Sequence, residues 1–377
     1  FKFALRAMKL WVGGIAPIVR VQNLPLTTKK TSYSTTINPL TISTFRLVIL
    51  LSFSPRIAML RLLGRDKLRR LFLRLKLKSS MKNKSLIAIA IIVSLGVSCT
   101  KTSKLKQLKD QINAIIEKAD GKIGVAIKNF DTEDTLSFNN SHKFPMQSVY
   151  KFPLSIAVLS KVDKGELMLD QKIHISKTDL LPNTWSPLRE KYCEGNVDIT
   201  LSEIISYTVS QSDNNGCDIL FRLIGGTDVA NDFIHGIGIN DISIKGTEEE
   251  MHKDWNVQFT NWCKPTAMVN LLEKFYGQEL LKDSTNNFLW KQMVETTTGP
   301  KRLKGLLPEG TTVAHKTGSS GKYEGLSAAV NDVGIMILPN GQHVAIAVFV
   351  SNSKAEDEVS EKVIAEIAKT VFDYYNK

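Results

Sequence analysis

The 377-residue chain has few of the residues that mark specialised proteins. Four cysteines cannot build a disulfide framework, and 12 prolines and 23 glycines exclude collagen-like or low-complexity sequence. The six histidines show no H-x-H or H-E-x-x-H spacing, which argues against a zinc hydrolase. We therefore expect no metal and no other cofactor. With 43% hydrophobic and 23% charged residues, the composition is that of an ordinary globular protein.

Acidic residues are nearly absent from the first 80 positions, where sixteen Lys and Arg residues face a single acid, Asp66. The formal net charge of +12 comes from this segment, because residues 81–377 carry 33 basic and 36 acidic residues, a net charge of −3. A nucleic-acid or membrane-surface partner would thus concern residues 1–80 only. We expect no nucleic-acid partner.

Residues 81–99 have the layout of an export signal. Two lysines precede a mostly apolar run, 86–97, that is too short to cross a bilayer comfortably, and Ser98-Cys99 follows. Cys99 is either a lipidated N-terminus, as in a bacterial lipoprotein, or adjoins a simple cleavage site; an uncleaved hydrophobic helix is a third alternative.

A signal works only near an N-terminus, so residues 1–80 are predicted to be upstream translated sequence that is absent from the mature protein. The competing interpretation is a basic extension whose residues 56–78 lie on an anionic membrane.

Apolar spacing divides the remainder into a helical middle between two strand-rich ends. It predicts terminal helices over 103–119 and 356–375, strands over 122–130, 134–138, 311–317, 324–337 and 342–351, and middle helices over 148–161, 201–211, 214–223, 227–236 and 265–274. This order predicts an α+β fold whose antiparallel sheet is built from both termini. Residues 100–147 and 298–377 would form an α/β sandwich subdomain and residues 148–297 an all-α subdomain. The cleft between them is the expected active site.

An S-x-x-K motif opens the first middle helix at Ser148-Val149-Tyr150-Lys151. The spacing places the amine of Lys151 on the same helix face as the hydroxyl of Ser148, where it can help to remove the proton from a serine nucleophile. The motif alone is weak because it occurs six times in the chain. Only the Ser148 copy follows a predicted hairpin and starts a long apolar helix.

Two further motifs follow in order, Ser212-Asp213-Asn214 between two predicted helices and Lys316-Thr317-Gly318 at the end of a predicted strand. The ordered set in an exported chain is far more specific than any one motif. From about residue 103 to the C-terminus, the chain resembles a class A serine β-lactamase. Gln147 and the sequence around Glu248 resemble the divergent cephalosporinase, extended-spectrum branch.

The resemblance implies a five-stranded antiparallel sheet and hydrolysis of a β-lactam amide through an acyl-enzyme on Ser148. It implies that Lys151 assists Ser148 and that Ser212 carries a proton to the departing nitrogen. Asn214 would bind the side-chain amide of the substrate, and Lys316, Thr317 and Ser319 its carboxylate. The backbone N–H groups of Ser148 and Ser319 would form the oxyanion hole, where Gly318 leaves room.

A class A β-lactamase also needs a glutamate that activates the deacylating water. The chain offers three consecutive candidates, and the family's spacing favours Glu248 over Glu249 and Glu250. The family's usual Glu-Pro and Arg-Trp pairs are missing here, and His252 stands where the family has Asn. This leaves the shape of the loop open.

Three more side chains bear on how the cleft would bind substrate. His252 could support the water or simply pack the loop, and Trp185 could stack on substrate or simply pack. The last arginine in the chain is Arg302, so carboxylate recognition is expected to rest on Lys316, Thr317 and Ser319 without an arginine.

Two alternatives share the same nucleophile: a D,D-peptidase or penicillin-binding protein, and a penicillin-sensing domain, both with slow deacylation. We expect a monomer that acts on penicillins and cephalosporins, in the periplasm or anchored to the outer membrane of a Gram-negative bacterium. Three cysteines, Cys193, Cys217 and Cys263, allow at most one disulfide, and free buried thiols are the default expectation.

Overall fold

The computed structural model describes residues 104–377, and one antiparallel sheet lies at the centre of this part of the chain. Its strands are β1 (Lys122–Asn129), β2 (Thr135–Phe138), β8 (Thr312–Ser319), β11 (Val330–Ile337) and β12 (His343–Ser351), in the order β2-β1-β12-β11-β8. Short strands occur elsewhere: β3 (Phe144–Pro145), β4 (Lys172–Ile175), β5 (Val197–Thr200), β6 (Ile242–Ser243), β7 (Trp262–Cys263), β9 (Lys322–Tyr323) and β10 (Leu326–Ser327). The predicted five-stranded sheet built from both ends is confirmed.

Helices cover both faces of the sheet. They are α1 (104–116), α2 (Lys151–Asp163), α3 (Pro187–Lys191), α4 (Leu201–Ser210), α5 (Asn214–Ile224), α6 (Thr227–Gly236), α7 (Glu248–Lys253), α8 (Pro265–Tyr276), α9 (Asp283–Val294) and α10 (Asp357–Tyr375). Within residues 104–377 there are also three 3₁₀ turns: Gln147–Tyr150, Lys177–Asp179 and Trp255–Thr260. The α+β class predicted from the sequence is confirmed.

Strand alternation gives the sheet two buried faces. In β12, Val344, Ile346 and Val348 join the apolar cluster formed with α1 and α10, whereas Ala347 and Phe349 join the larger cluster on the opposite face. The strand therefore reads as a nearly continuous apolar run, as expected for a sheet covered on both sides. Burial on both faces fixes the register that places the end of β8 at the cleft.

Helix α2 is the centre of the helical layer, with residues 151–160 all buried. It contacts α4, α5, α6 and α9, while α8 packs on β1, β11 and β12. Helix α8 lies within the predicted helical segment 148–297 and yet covers the sheet. The division at residues 147 and 298 stays a prediction about how the chain is partitioned.

The three cysteines of the described residues are free thiols. Cys217 and Cys263 are buried, but Cys193 is exposed because it lies in the turn that follows α3. The expectation of a buried thiol is thus wrong at Cys193. Within residues 104–377, no helix is long and apolar enough to cross a bilayer. The predicted export signal, Cys99 and residues 1–80 lie outside the described residues.

Candidate active site

The first motif lies where a 3₁₀ turn runs into a buried helix. Ser148 belongs to the turn Gln147–Tyr150, and Lys151 is the first residue of α2. In a 3₁₀ turn, side chains three residues apart eclipse each other, so Lys151 reaches back to the serine. Its Nζ donates a hydrogen bond of 2.9 Å to Ser148 Oγ. The predicted helix over 148–161 therefore begins as a tighter turn, which brings the two groups together.

Four oxygen atoms surround the fully buried amine of Lys151. Its Nζ lies 2.9 Å from Ser148 Oγ, 2.8 Å from the Ser212 carbonyl, 2.5 Å from Asn214 Oδ1 and 2.9 Å from Glu248 Oε1. An ammonium group has only three hydrogens, and three of these contacts have hydrogen-bond geometry. The contact with Glu248 is an ion pair without a directed hydrogen bond. Glu248 Oε1 is buried and accepts no hydrogen bond from the described residues.

The second motif forms a tight corner between α4 and α5. Ser212 takes a left-handed backbone conformation, with φ of 60°. Asp213 caps α5 by accepting a hydrogen bond of 2.8 Å from the Gly216 N–H, and it also accepts from Ser186 Oγ and Leu188 N–H. These bonds fix the corner, so Ser212 and Asn214 both face the cleft.

The third motif brings a second buried lysine to the same place. Lys316 is fully buried on β8, and its Nζ donates to Ser212 Oγ at 2.8 Å and to the Thr317 carbonyl at 3.0 Å. Burial and the nearby Lys151 charge hold the pKa of the Lys316 ammonium well below its usual range. Two lysines thus contact Ser212: Lys151 at its carbonyl oxygen and Lys316 at its hydroxyl.

The end of β8 carries hydroxyl groups that face the cleft together with an arginine behind them. Thr317 Oγ1 lies 2.6 Å from Thr298 Oγ1. Arg302 donates to Ser319 Oγ at 2.7 Å and to the Gly318 carbonyl at 3.1 Å. Arg302 therefore lies behind Ser319, because the loop before β8 folds back along the strand. Its guanidinium also pairs with Glu361 at 3.1 Å.

Gly318 lies against the turn that carries Ser148. A Cβ atom at this position would come within 2.4 Å of the Met146 carbonyl oxygen and 3.2 Å of the Ser148 backbone nitrogen. Both are backbone atoms, which cannot move aside without shifting the turn. The absence of a side chain therefore sets the distance between β8 and Ser148.

A Gly318→Ala substitution is expected to lower kcat/KM by about 100-fold, since displacement of a reacting group by roughly 1 Å has effects of that size. Gly236→Ala is the matched control, because nothing lies within 4 Å of a Cβ atom there and Gly236 has no positive φ. Steady-state hydrolysis by both variants checks the prediction. Equal activities would show that the contact with Met146 does not set the geometry.

The three consecutive glutamates point in different directions. Thr247 and Glu250 form a capping box at the start of α7, with Thr247 Oγ1 accepting from Glu250 N–H and the Glu250 carboxylate accepting from Thr247 N–H. This cap fixes the rotation of the helix. Glu248 turns inward with 8% exposure, whereas Glu249 pairs with Lys253 at 2.6 Å on the surface.

A buried carboxylate on α5, Asp218, holds the glutamate segment in place. Its two oxygens accept hydrogen bonds from the N–H groups of Glu248, at 2.8 Å, and Glu249, at 2.9 Å. Burial and the neighbouring Glu248 charge raise the pKa of Asp218 to about 7. The shape of the loop, which the sequence left open, is thus fixed in part by a carboxylate that binds backbone N–H groups.

The raised pKa of Asp218 predicts a pH-dependent stability. Between about pH 4 and pH 7 the folded protein keeps the Asp218 proton while the unfolded chain releases it, so the free energy of unfolding falls as pH rises through this window. Between pH 5 and pH 8 the wild type should lose up to about 3 kcal/mol relative to Asp218→Asn. Denaturant unfolding at several pH values measures this. Asp228→Asn, at an exposed ion pair with Lys245, is the control, and identical pH slopes for wild type and Asp218→Asn would contradict the prediction.

The remaining predicted residues also border the cleft. Trp185 is 57% exposed and donates from Nε1 to the Gln211 carbonyl at 2.9 Å, so its ring is held at the rim. His252 is exposed at the edge formed by α7. The structure thus brings together every residue selected from the sequence: Ser148, Lys151, Trp185, Ser212, Asn214, Glu248, His252, Lys316, Thr317, Gly318 and Ser319.

Several residues of the site were missed. Thr184 accepts a hydrogen bond of 2.7 Å from Asn214 Nδ2, and Thr298, Asp218 and Arg302 make the contacts described above. The sequence could have indicated Asp218, because an acidic residue on a predicted apolar helix, one turn after Asn214, needs a polar partner. No sequence pattern marks Thr184 or Thr298.

Comparison with known proteins agrees with this geometry. The sequence model described as "Beta-lactamase enzyme family" matches residues 107–375. Beta-lactamase VEB-1 of Pseudomonas aeruginosa is 49% identical over 292 residues, which is 77% of this chain and 96% of that protein. Extended-spectrum beta-lactamase PER-1 of Pseudomonas aeruginosa is 39% identical over 292 residues, or 77% and 95% of the two chains.

Solved structures agree with the sequence relatives. The crystal structure of TLA-1 extended spectrum Beta-lactamase superposes with a TM-score of 0.71 at 55% identity and covers 72% of this chain and 99% of its own. An ancestral class A β-lactamase, at 26% identity, gives a TM-score of 0.66 over 71% and 100% of the two chains. The chain belongs to the class A β-lactamases, on their extended-spectrum branch.

Proposed function

We propose that this β-lactamase hydrolyses cephalosporins and penicillins through an acyl-enzyme on Ser148, which is released by water that Glu248 activates. The observation that carries the proposal is the position of Lys151 Nζ, which lies 2.9 Å from Ser148 Oγ and 2.9 Å from Glu248 Oε1. One buried amine thus connects the nucleophile to a carboxylate.

In the acylation step, Ser148 Oγ bonds to the lactam carbonyl carbon as the serine loses its proton. Lys151 Nζ lies 2.9 Å from Ser148 Oγ, so it is the group placed to receive the serine proton. The oxyanion that develops on the carbonyl is stabilised by the backbone N–H groups of Ser148 and Ser319.

Breakage of the lactam C–N bond requires a proton for the departing nitrogen. Ser212 is placed for this role because Lys316 donates to its Oγ at 2.8 Å. With its oxygen occupied as an acceptor, the hydroxyl can turn its own hydrogen to the nitrogen. Lys316 supports that transfer because it can pass a proton to Ser212 Oγ as the serine gives its own to the nitrogen, so Ser212 ends the step as a hydroxyl.

Deacylation distinguishes this proposal from a penicillin-binding protein with the same three motifs. Glu248 Oε1 is buried and takes no hydrogen bond from residues 104–377, so it can accept a proton from a water molecule. That water attacks the acyl carbon, the ester bond to Ser148 Oγ breaks, and the serine recovers its proton. The alternatives, a D,D-peptidase and a penicillin sensor, would keep the acyl group.

Recognition of the substrate is proposed to use both ends of the cleft. Lys316, Thr317 and Ser319 would bind the substrate carboxylate, with Arg302 holding the Ser319 hydroxyl in place. At the other end Asn214 would bind the side-chain amide. Trp185 at the rim and His252 on α7 are proposed as additional contacts.

Hydrolysis of a chromogenic cephalosporin by the purified protein tests the proposal. Sustained turnover, with a burst no larger than one equivalent of enzyme, is the expected result. A stoichiometric burst followed by no turnover would instead favour slow deacylation, as in a penicillin-binding protein.

We also propose that the enzyme is exported and acts as a monomer in the periplasm or anchored through Cys99. The layout of residues 81–99 supports export. Intact-mass measurement of the protein from its natural host distinguishes a lipidated Cys99 from simple cleavage. Retention of residues 1–80 would contradict the proposed start.

A further inference from the structure

Two aromatic side chains meet at one end of the cleft. Trp255 begins the 3₁₀ turn that follows α7, and Tyr323 lies on β9, four residues after Ser319. Their rings stack with centroids 5.1 Å apart and an interplanar angle of 29°. Trp255 lines the cleft together with Ser148, whereas Tyr323 is 52% exposed. The contact joins the segment that follows Glu248 to the hairpin that follows Ser319.

The position of Trp255 is fixed from the inside of the protein. Gln258, which is buried, donates to the Trp255 carbonyl at 2.7 Å and accepts from Gln147 Nε2 at 2.5 Å. Gln147 directly precedes the nucleophile. The backbone of Trp255 is therefore linked through two hydrogen bonds to the residue that precedes Ser148.

The position of Tyr323 is fixed by a two-residue hairpin. β9 and β10 pair antiparallel with Tyr323 opposite Leu326, and the turn residues Glu324 and Gly325 have φ of 51° and 78°. Two successive positive φ values are typical of a turn that matches strand twist. Lys322 pairs with Glu356 at 2.6 Å. The hairpin thus presents the phenol ring to the indole.

Most side chains that line the cleft are polar. Among the described lining residues, the large apolar side chains are Trp185, Met251 and Trp255. The segment that carries Glu248 and Trp255 lines the same cleft as Thr298 and Thr317. Asn214, the proposed partner of the side-chain amide, also lines this cleft, so the acyl group of a bound lactam shares it with Trp255.

We propose that Trp255, held in place by Tyr323, is a specificity subsite that stacks on a flat aromatic acyl side chain of the lactam. This inference rests on the proposed function. Tyr323 covers part of the indole surface, and Trp255 also lines the cleft, where it can pack on an aryl or heteroaryl ring. Aromatic contacts of this kind change affinity by about 3- to 10-fold beyond simple burial.

Two cephalosporins that share a nucleus and differ only in the 7-acyl group, phenylacetyl or acetyl, provide the test. The ratio of their kcat/KM values is measured for the wild type, Trp255→Ala, Tyr323→Ala and Tyr323→Phe. In the two alanine variants the phenylacetyl-to-acetyl ratio should fall by about 3- to 10-fold, mainly through KM. Tyr323→Phe keeps the ring and should keep the ratio within about twofold.

The outcomes separate this inference from the proposed function. If the wild type does not turn over either substrate, the proposed function fails. If turnover is sustained and the ratio is unchanged in both alanine variants, the subsite is contradicted. An equal loss on both substrates would also contradict it, because it would show that the stack only supports the Glu248 segment. Thermal unfolding of each variant confirms that the compared proteins are folded.

Discussion

A Glu248→Gln variant is expected to be acylated by a cephalosporin and then to stall. Glutamine keeps the size of the side chain but cannot accept a proton from water, so deacylation should slow by about 10²- to 10⁴-fold, the usual contribution of a general base. Acylation should be slowed less, because Lys151 retains its contacts with Ser148 and Asn214. Rapid-quench kinetics separates the two rate constants.

The neighbouring glutamate provides a matched control for this experiment. Glu249→Gln changes an adjacent carboxylate that pairs with Lys253 on the surface, so its turnover should stay close to that of the wild type. If Glu248→Gln turned over normally and Glu249→Gln stalled, the assignment of the base would move by one residue. This outcome would also mean that the capping box of Thr247 and Glu250 does not set the rotation of α7 in solution.

A Lys151→Met variant should lose acylation and also stability. Methionine has a similar length but no proton acceptor, so acylation should fall by about 10³-fold or more. The change also leaves Glu248 buried without its counter-charge, and breaking a buried ion pair in this way costs about 3–5 kcal/mol of unfolding free energy. Stopped-flow acylation and denaturant unfolding measure the two effects.

Two further variants make this prediction specific. Lys161→Met, on the same helix but in a surface pair with Glu166, should change neither quantity appreciably. The double variant Lys151→Met with Glu248→Gln removes both charges and should be more stable than Lys151→Met alone. A double variant that is no more stable would show that the loss comes from packing and not from the unpaired carboxylate.

The candidate catalytic groups could be selected from the sequence because their chemistry and their order along the chain are both restrictive. Ser148, Ser212 and Lys316 lie in three separated motifs. In the structure, Ser148 and Ser212 contact the buried amine of Lys151, and Lys316 contacts Ser212. The sheet was equally accessible, since β11 and β12 are long, apolar and separated by Pro339-Asn340-Gly341, a strong turn signal. Strong local periodicity and residue chemistry were sufficient for these features.

Other features depend on contacts between segments that are distant in sequence. Arg302 reaches Ser319 only because the loop before β8 folds back, and Asp218 meets Glu248 only because α5 packs beside α7. Helix α9, in which Asn286 and Gln292 are buried polar residues, lacks a clean apolar stripe and was not predicted. Strands of two residues, such as β7, carry no periodic signal at all.

The most direct test is a mass-spectrometric time course of wild type and Glu248→Gln after mixing with a cephalosporin, followed by peptide mapping. We expect an adduct on the peptide that contains Ser148. It should disappear within the turnover time in the wild type and persist in Glu248→Gln. An adduct on another residue, or one that persists equally in the wild type, would contradict this expectation.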